Sequence, residues 1–230
     1  MNSIFAESAT IGIVISLLAY EFGVLLKNKF KFGIFNPLMI AIVLTIVFLV
    51  VFNVDYDTYN SSAKYLNYLL TPATVSLAIP LYQKLDLLKK NLWPILGSIF
   101  IGALASVCSV LAMSVLFRLT HEEYVTLLPK SITTAVGMVV SSELGGYTAI
   151  TTAIIIITGV LGNMTAEFIC KVARIKNPVS KGLAIGTASH AIGTSKAMQI
   201  GKTEGAMSGL SVAVAGVYTV ILASVFAMFY

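Results

Sequence analysis

Gly186-Thr187-Ala188-Ser189-His190-Ala191-Ile192-Gly193-Thr194-Ser195-Lys196 is the densest polar stretch of an otherwise oily chain. A near-copy lies upstream. Thr133-Thr134-Ala135-Val136-Gly137 places Thr134 where the later stretch has His190, and Gly137 where it has Gly193; Gly145 and Gly201 follow at matching positions. Hydroxyls, a histidine and lysines are costly in hydrocarbon, so a duplicated pair of polar islands points to a solute pathway.

The surroundings of the islands define the class of protein. Of the 230 residues, 57% are hydrophobic and 11% charged. Together with a mean hydropathy of +0.91, this lies well outside soluble domains and reads as an all-α integral membrane protein. At roughly 20 apolar residues per crossing there is room for about six to eight spans and little else. A single membrane domain, residues 1–230, is expected, with residues 5–117 as scaffold and 122–230 as the duplicated transport region. Met1 to Thr10 carry no basic residue ahead of the first apolar run, which reads as a first span rather than a cleaved leader.

Apolar runs long enough for full crossings are 5–26, 34–53, 92–117, 147–170 and 206–229. Residues 63–83 make a sixth, irregular crossing, because Pro72 and Pro80 interrupt the helical ladder. The islands, about 125–146 and 182–204, are not apolar over a full membrane thickness. If both dip in and return, Lys27, Lys29, Lys31, Lys84, Lys89, Lys90, Lys171, Arg174, Lys176 and Lys181 share one face, leaving Lys64 and Arg118 opposite. That asymmetry obeys the positive-inside rule, with both termini outside. The fold expected is thus about six transmembrane helices plus two oppositely oriented re-entrant hairpins forming an inverted repeat. The net charge of +5 is explained by this topology and needs no nucleic acid.

Within the first island, Leu128-Pro129-Lys130-Ser131-Ile132-Thr133-Thr134 places Pro129 at an expected helix start, with a cation and three hydroxyls beside it. Free amides there favour a carboxylate guest. In the second, glycines allow the backbone to turn, His190 can donate to a carboxylate or titrate near neutral pH, and Lys196 offers a compact charge. The substrate-binding set is Lys130, Ser131, Thr133, Thr134, Thr187, Ser189, His190, Thr194 and Lys196. Pro72, Pro129, Gly137, Gly186 and Gly193 act as hinge or backbone elements, and Glu143 and His190 are candidate proton carriers.

Bland readings stand beside these. Ser and Thr often bond back to their own helix in membranes, and a membrane histidine is often only an interhelical hydrogen-bonding residue. Glu204 is expected in interfacial water, Asn36 as a simple N-cap, and Cys108 and Cys170 as buried packing residues. Gly193-Thr194-Ser195-Lys196 lacks the order of a phosphate-binding loop, and no spacing suits a metal or a catalytic triad. No cofactor, metal or enzymatic activity is expected. Small residues in Gly182-x-x-x-Gly186 and Gly205-x-x-x-Gly209 allow close helix approach.

The strings LLPKSITTAVGM (127–138), ELGG (143–146), KGLAIGTASHAIGTSKA (181–197) and EGAMSGLS (204–211) resemble the LrgB/CidB family of bacterial membrane proteins. So do FNPLMIA (35–41), YDTY (56–59) and TPATVSLAIPLYQK (71–84), and the likeness is nearer the CidB branch. The resemblance implies a multi-pass protein of the bacterial plasma membrane with a separate LrgA/CidA-like partner and roles in murein hydrolase regulation and autolysis. It also implies, from related carriers, transport of pyruvate, glycolate or glycerate.

A carrier or facilitator of a small monocarboxylate, acting as a homo-oligomer with that partner, is the leading expectation. Loss of uptake on His190→Ala and Thr134→Val is expected with it. A holin-associated regulator of autolysis is the alternative, and a wide lytic pore is disfavoured by the all-round apolarity of 147–170 and 206–229.

Overall fold

The computed structural model describes residues 10–30 and 36–230, and these form helices joined by short turns. The chain divides into two compact units, Met1–Ser76 and Leu77–Tyr230.

In the first unit lie α1 (Ile11–Phe30), α2 (Pro37–Val51), α3 (Tyr56–Ala63) and a 3-10 stretch, Lys64–Leu69. Asn36 caps α2, its side-chain oxygen accepting from the amides of Leu38 at 2.9 Å and Met39 at 3.3 Å, with Pro37 in the first turn. α1 packs closely on its neighbours: the Gly12 amide donates to Ser62 Oγ at 3.0 Å, and the Ser16 and Tyr59 hydroxyls bond at 2.7 Å. The boundary between units falls within α4 (Leu70–Gln83).

The second unit comprises α5 (Leu85–Lys90), α6 (Leu92–Phe117), α7 (His121–Leu127), α8 (Thr134–Glu143), α9 (Thr148–Val172), α10 (Pro178–Ile200), α11 (Lys202–Phe226) and a final 3-10 turn, Ala227–Phe229. The buried stripe of α6, Ile95, Ile99, Ala103, Val107, Val110 and Ser114, recurs at helical spacing. Its first half packs with Leu183 of α10 and Ala206 and Met207 of α11. Its second half packs with Tyr124, Val125 and Leu128 and with Leu222 and Ala223 of α11. α6 and α11 therefore run parallel. The C-terminal end is pinned where α7 begins, with Tyr124 Oη donating to the Phe226 carbonyl at 2.9 Å and Tyr230 Oη to that of Leu119 at 2.7 Å.

Both polar islands fold back on themselves. Around α7 and α8, the Tyr147 amide donates to Thr126 Oγ1 at 2.8 Å, and Thr151 Oγ1 bonds to the Thr126 carbonyl at 3.0 Å and Ser141 Oγ at 2.7 Å. The segment thus leaves and returns to one place. α10 breaks at Ser189 (φ −133°, ψ 16°) and His190 (φ 42°, ψ −143°). In an unbroken helix Ile185 and Ala197 would stand about 18 Å apart, yet they share one buried cluster.

Among the described residues, four helices are long and apolar enough to cross a membrane: Ile11–Phe30, Leu92–Phe117, Thr148–Val172 and Lys202–Phe229. The run expected over 34–53 shortens to the 15 residues of α2. Asn53 takes a left-handed φ of 49° and the Val54 amide bonds back to the Leu49 carbonyl at 2.9 Å, closing the helix early. Residues 63–83 divide into the 3-10 stretch and α4, with Pro72 in the first turn of α4. Residues 5–9 of the first expected run, Ile34 and Phe35 of the second, and Lys31 lie outside the described residues.

Cys108, expected inside, is exposed, because it sits beside the buried Val107 but off the packed stripe of α6; Cys170 is buried.

Candidate functional site

A cleft of about 540 Å³ lies in the second unit between α6, the turn joining α7 to α8, and the first half of α10. Hydroxyls of Ser98, Ser106, Ser131, Ser180 and Thr187 line it with Lys130, and Gly102, Ala105, Ala184 and Ala188 supply the space. At Gly102 the two helices approach so closely that an added Cβ would sit 2.8 Å from Thr187 Cγ2.

The ammonium of Lys130 is the cation that lines this site. It donates to Ser106 Oγ at 3.1 Å and Ser131 Oγ at 3.2 Å, and these two hydroxyls bond each other at 3.0 Å. Among the described residues the one ion pair joins Lys196 to Glu167. Lys130 therefore carries a half-buried positive charge satisfied by neutral oxygens alone. A cation in that condition can donate to an anion, since charge-assisted bonds strengthen where water is scarce.

The turn that delivers Lys130 differs from the expected one. Pro129 stands after α7 rather than at a helix start, and two tight turns, Lys130 N–H to Leu127 O at 3.2 Å and Ile132 N–H to Pro129 O at 3.3 Å, carry the chain to α8. Ser131 is buried, while Thr133 and Thr134 are half-buried at the start of α8 and do not line the cleft. Gly137 packs against Ile155 and the Pro129 ring.

The remaining second-island residues turn toward α9 and α11. His190 Nε2 meets the Ile155 carbonyl at 2.9 Å; because a carbonyl only accepts, Nε2 carries the proton. Its ring is seated on Gly159, where a Cβ would lie 2.6 Å from Cε1, and Ser189 fills the space left by Gly162. Asn163 Nδ2 donates to the Ile192 carbonyl at 2.7 Å and to Ser195 Oγ at 3.0 Å. Thr194 bonds to the His190 carbonyl at 2.9 Å and to Ser208 Oγ at 2.8 Å. Lys196 is spent on the largely exposed Glu167, a pair of the kind worth at most about 1 kcal/mol.

The structure thus brings Lys130, Ser131 and Thr187 together and places Thr133, Thr134, Ser189, His190, Thr194 and Lys196 elsewhere. The glycines do not make the turn in α10. His190 makes it at a positive φ, while Gly186 lies on the Ser208 backbone and Gly193 against Ile185. Glu143 is exposed at the end of α8. Glu204, expected in interfacial water, is buried: it stands in the first turn of α11 with its carboxyl folded into the space at Gly201, which has no side chain.

Ser98, Gly102 and Ser106 were hidden in a run that reads as a plain span. Their spacing puts them on one face of α6, and that stripe of small and polar residues is the signal available in the sequence.

The tip of α10 holds a strained residue in a tight seat. A non-glycine side chain at φ 42° costs about 1–2 kcal/mol. His190→Ala and His190→Gly both empty the seat over Gly159, but glycine relieves the backbone. The glycine variant is expected to melt higher than the alanine variant in detergent, by about 1 kcal/mol in stability; equal melting would remove the strain argument.

The LrgB-like family model matches residues 16–229. The chain is similar to the antiholin-like protein LrgB of Bacillus cereus (strain B4264), at 40% identity over 219 residues covering 95% of each chain. Antiholin-like LrgB of Bacillus anthracis (strain A0248) matches with the same identity and coverage. The relatives named here thus carry the LrgB name, where the sequence likeness was placed nearer CidB. No solved structure matches the chain. With the family model spanning nearly all of it and relatives of this identity matching over 95% of both chains, the chain belongs to the LrgB-like family.

Proposed function

We propose that this protein is an antiholin-like membrane component that acts with a second, small LrgA/CidA-like membrane protein in controlling autolysis. The observation carrying this reading is the 40% identity, over 95% of both chains, to proteins named antiholin-like. It ranks ahead of a transport role on that ground.

A specific feature of the cleft favours a molecular activity beneath that role: passage of a small monocarboxylate. Lys130 offers a charge that no described carboxylate compensates, and Ser106, Ser131 and Thr187 offer hydroxyls beside it. In this reading the two folded-back islands are re-entrant hairpins of opposite orientation in a multi-pass plasma-membrane protein. Contacts of α10 with the start of α11, and of α7 with its end, support the opposite orientation. Carboxylate flux alters cytoplasmic pH and membrane energetics, so transport and lysis control can be one function seen at two levels.

Uptake of labelled pyruvate and glycolate into sealed liposomes is the test, with purified protein alone and with its partner. Uptake above protein-free liposomes by either preparation is the expected result. If both preparations give none while the deletion strain shows altered autolysis, the antiholin reading stands and the carrier reading fails.

A further inference from the structure

A second cleft, of about 640 Å³, opens at the end of α9 and the start of α10, remote in sequence from Lys130. Lys171, Arg174, Lys176 and Lys181 line it over a floor of Cys170, Ile175 and Ile200. Its shape follows from how α9 stops. Arg174 takes a left-handed φ of 54°, the Ala173 amide bonds to the Ile169 carbonyl at 2.8 Å, and the Ile175 amide reaches the Cys170 carbonyl at 2.9 Å. This closure reverses the chain within one turn. Ile175 folds under toward the cluster of Ala166, Cys170, Ile185 and Ala197, while Arg174 and Lys176 are left exposed above it. Asn177 then starts α10 by accepting from the Val179 amide at 2.8 Å, which brings Lys181 across to the same cleft.

Four cations converge on this space, and the acid at its rim, Glu167, is already paired with Lys196. Solvation of the cationic heads alone explains neither their gathering at one open cleft nor its apolar floor. A ligand with a negative head and an apolar body fits both. The same last turns of α9 present Phe168, Ile169 and Val172 outward, each more than half exposed, where acyl chains would lie.

From this convergence of Lys171, Arg174, Lys176 and Lys181 around an apolar floor at the end of a span, we infer a binding site for the phosphodiester headgroup of an anionic phospholipid. It rests on the membrane placement proposed above, not on the carrier reading. The headgroup phosphate takes bidentate bonds from Arg174 and point charges from the lysines, and the glycerol backbone lies against Ile175 and Ile200.

Native mass spectrometry of the purified protein, titrated with phosphatidylglycerol, phosphatidylcholine or inorganic phosphate, tests this without measuring uptake. Phosphatidylglycerol is expected to be retained at least about fivefold over phosphatidylcholine. Arg174→Gln with Lys176→Gln should remove that preference, and Lys176→Arg should keep it. Circular dichroism and gel filtration establish that each variant is folded; should the double variant not fold, charge neutralisation at Lys171 alone, expected to lower retention partially, takes its place. Equal retention of the two lipids, or a preference unaffected by neutralising the cations, overturns the site. Binding of inorganic phosphate that displaces phosphatidylglycerol at millimolar concentration overturns the lipid assignment in favour of a soluble anion.

Discussion

Lys130→Gln is expected to cut monocarboxylate uptake into liposomes by about 10- to 100-fold while leaving the protein as stable as before, or more so. The first half follows from losing a charge-assisted bond worth about 1.5–3 kcal/mol at a site where hydroxyls alone remain. The second follows from the state of the free protein. Lys130 is half-buried and bonded to Ser106 and Ser131, with no carboxylate among the described residues to offset its desolvation, so a neutral amide of similar length relieves a cost. Opposite signs on activity and stability separate a binding residue from a structural one. Ser106→Ala leaves the charge but frees its direction, and should raise the apparent KM by a smaller factor. Uptake by Lys130→Gln at the original rate, in protein whose insertion is unchanged, would remove the cleft from the carrier reading and leave only the antiholin role.

The class of protein and the position of both islands were legible in the sequence because hydrophobicity is additive along a span and polar interruptions stand out against it. Residues 92–117 were bounded as α6, and 147–170 nearly so as α9. Element ends were less legible, since Asn53 and Arg174 stop helices through backbone conformation, which composition does not encode. Of the polar residues that the sequence singled out, the structure brings Lys130, Ser131 and Thr187 to one cleft, while the polarity of His190 and Lys196 is met by Ile155 and Glu167. A polar residue in a membrane segment advertises a need for a partner, not which partner meets it. The opposite wall of the cleft was missed for the converse reason: Ser98, Gly102 and Ser106 barely lower the hydropathy of α6, so only their four-residue spacing marks the shared face, and its meaning comes from the neighbour that needs the room.

Against backbone, that need for room is sharpest where α10 crosses α11, and it sets the largest structural effect expected of the substitutions considered. Gly182 and Gly186 form one small stripe on α10. At Gly186 a Cβ would stand 2.8 Å from Ser208 Cα and run into the Ser208 carbonyl; at Gly182 it would stand 2.8 Å from Met207 Cβ. The obstacle is helix backbone, which cannot swing aside as a flexible side chain can. Gly186→Val must therefore push the two helices apart. That also stretches the Thr194 to Ser208 bond of 2.8 Å that ties the returning half of α10 to the same place. The cost expected is at least about 3 kcal/mol, the upper range of overpacking, read as a collapse of the melting temperature or loss of monodisperse protein in detergent. Gly97→Ala, on α6 with nothing within 4 Å of the new methyl, calibrates the measurement. There the same chemistry should stabilise by about 0.5–1 kcal/mol by restricting the unfolded chain. Similar melting of the two variants would mean that α10 and α11 do not touch backbone to backbone. The hairpin would then lose the support that places Thr187 opposite Lys130.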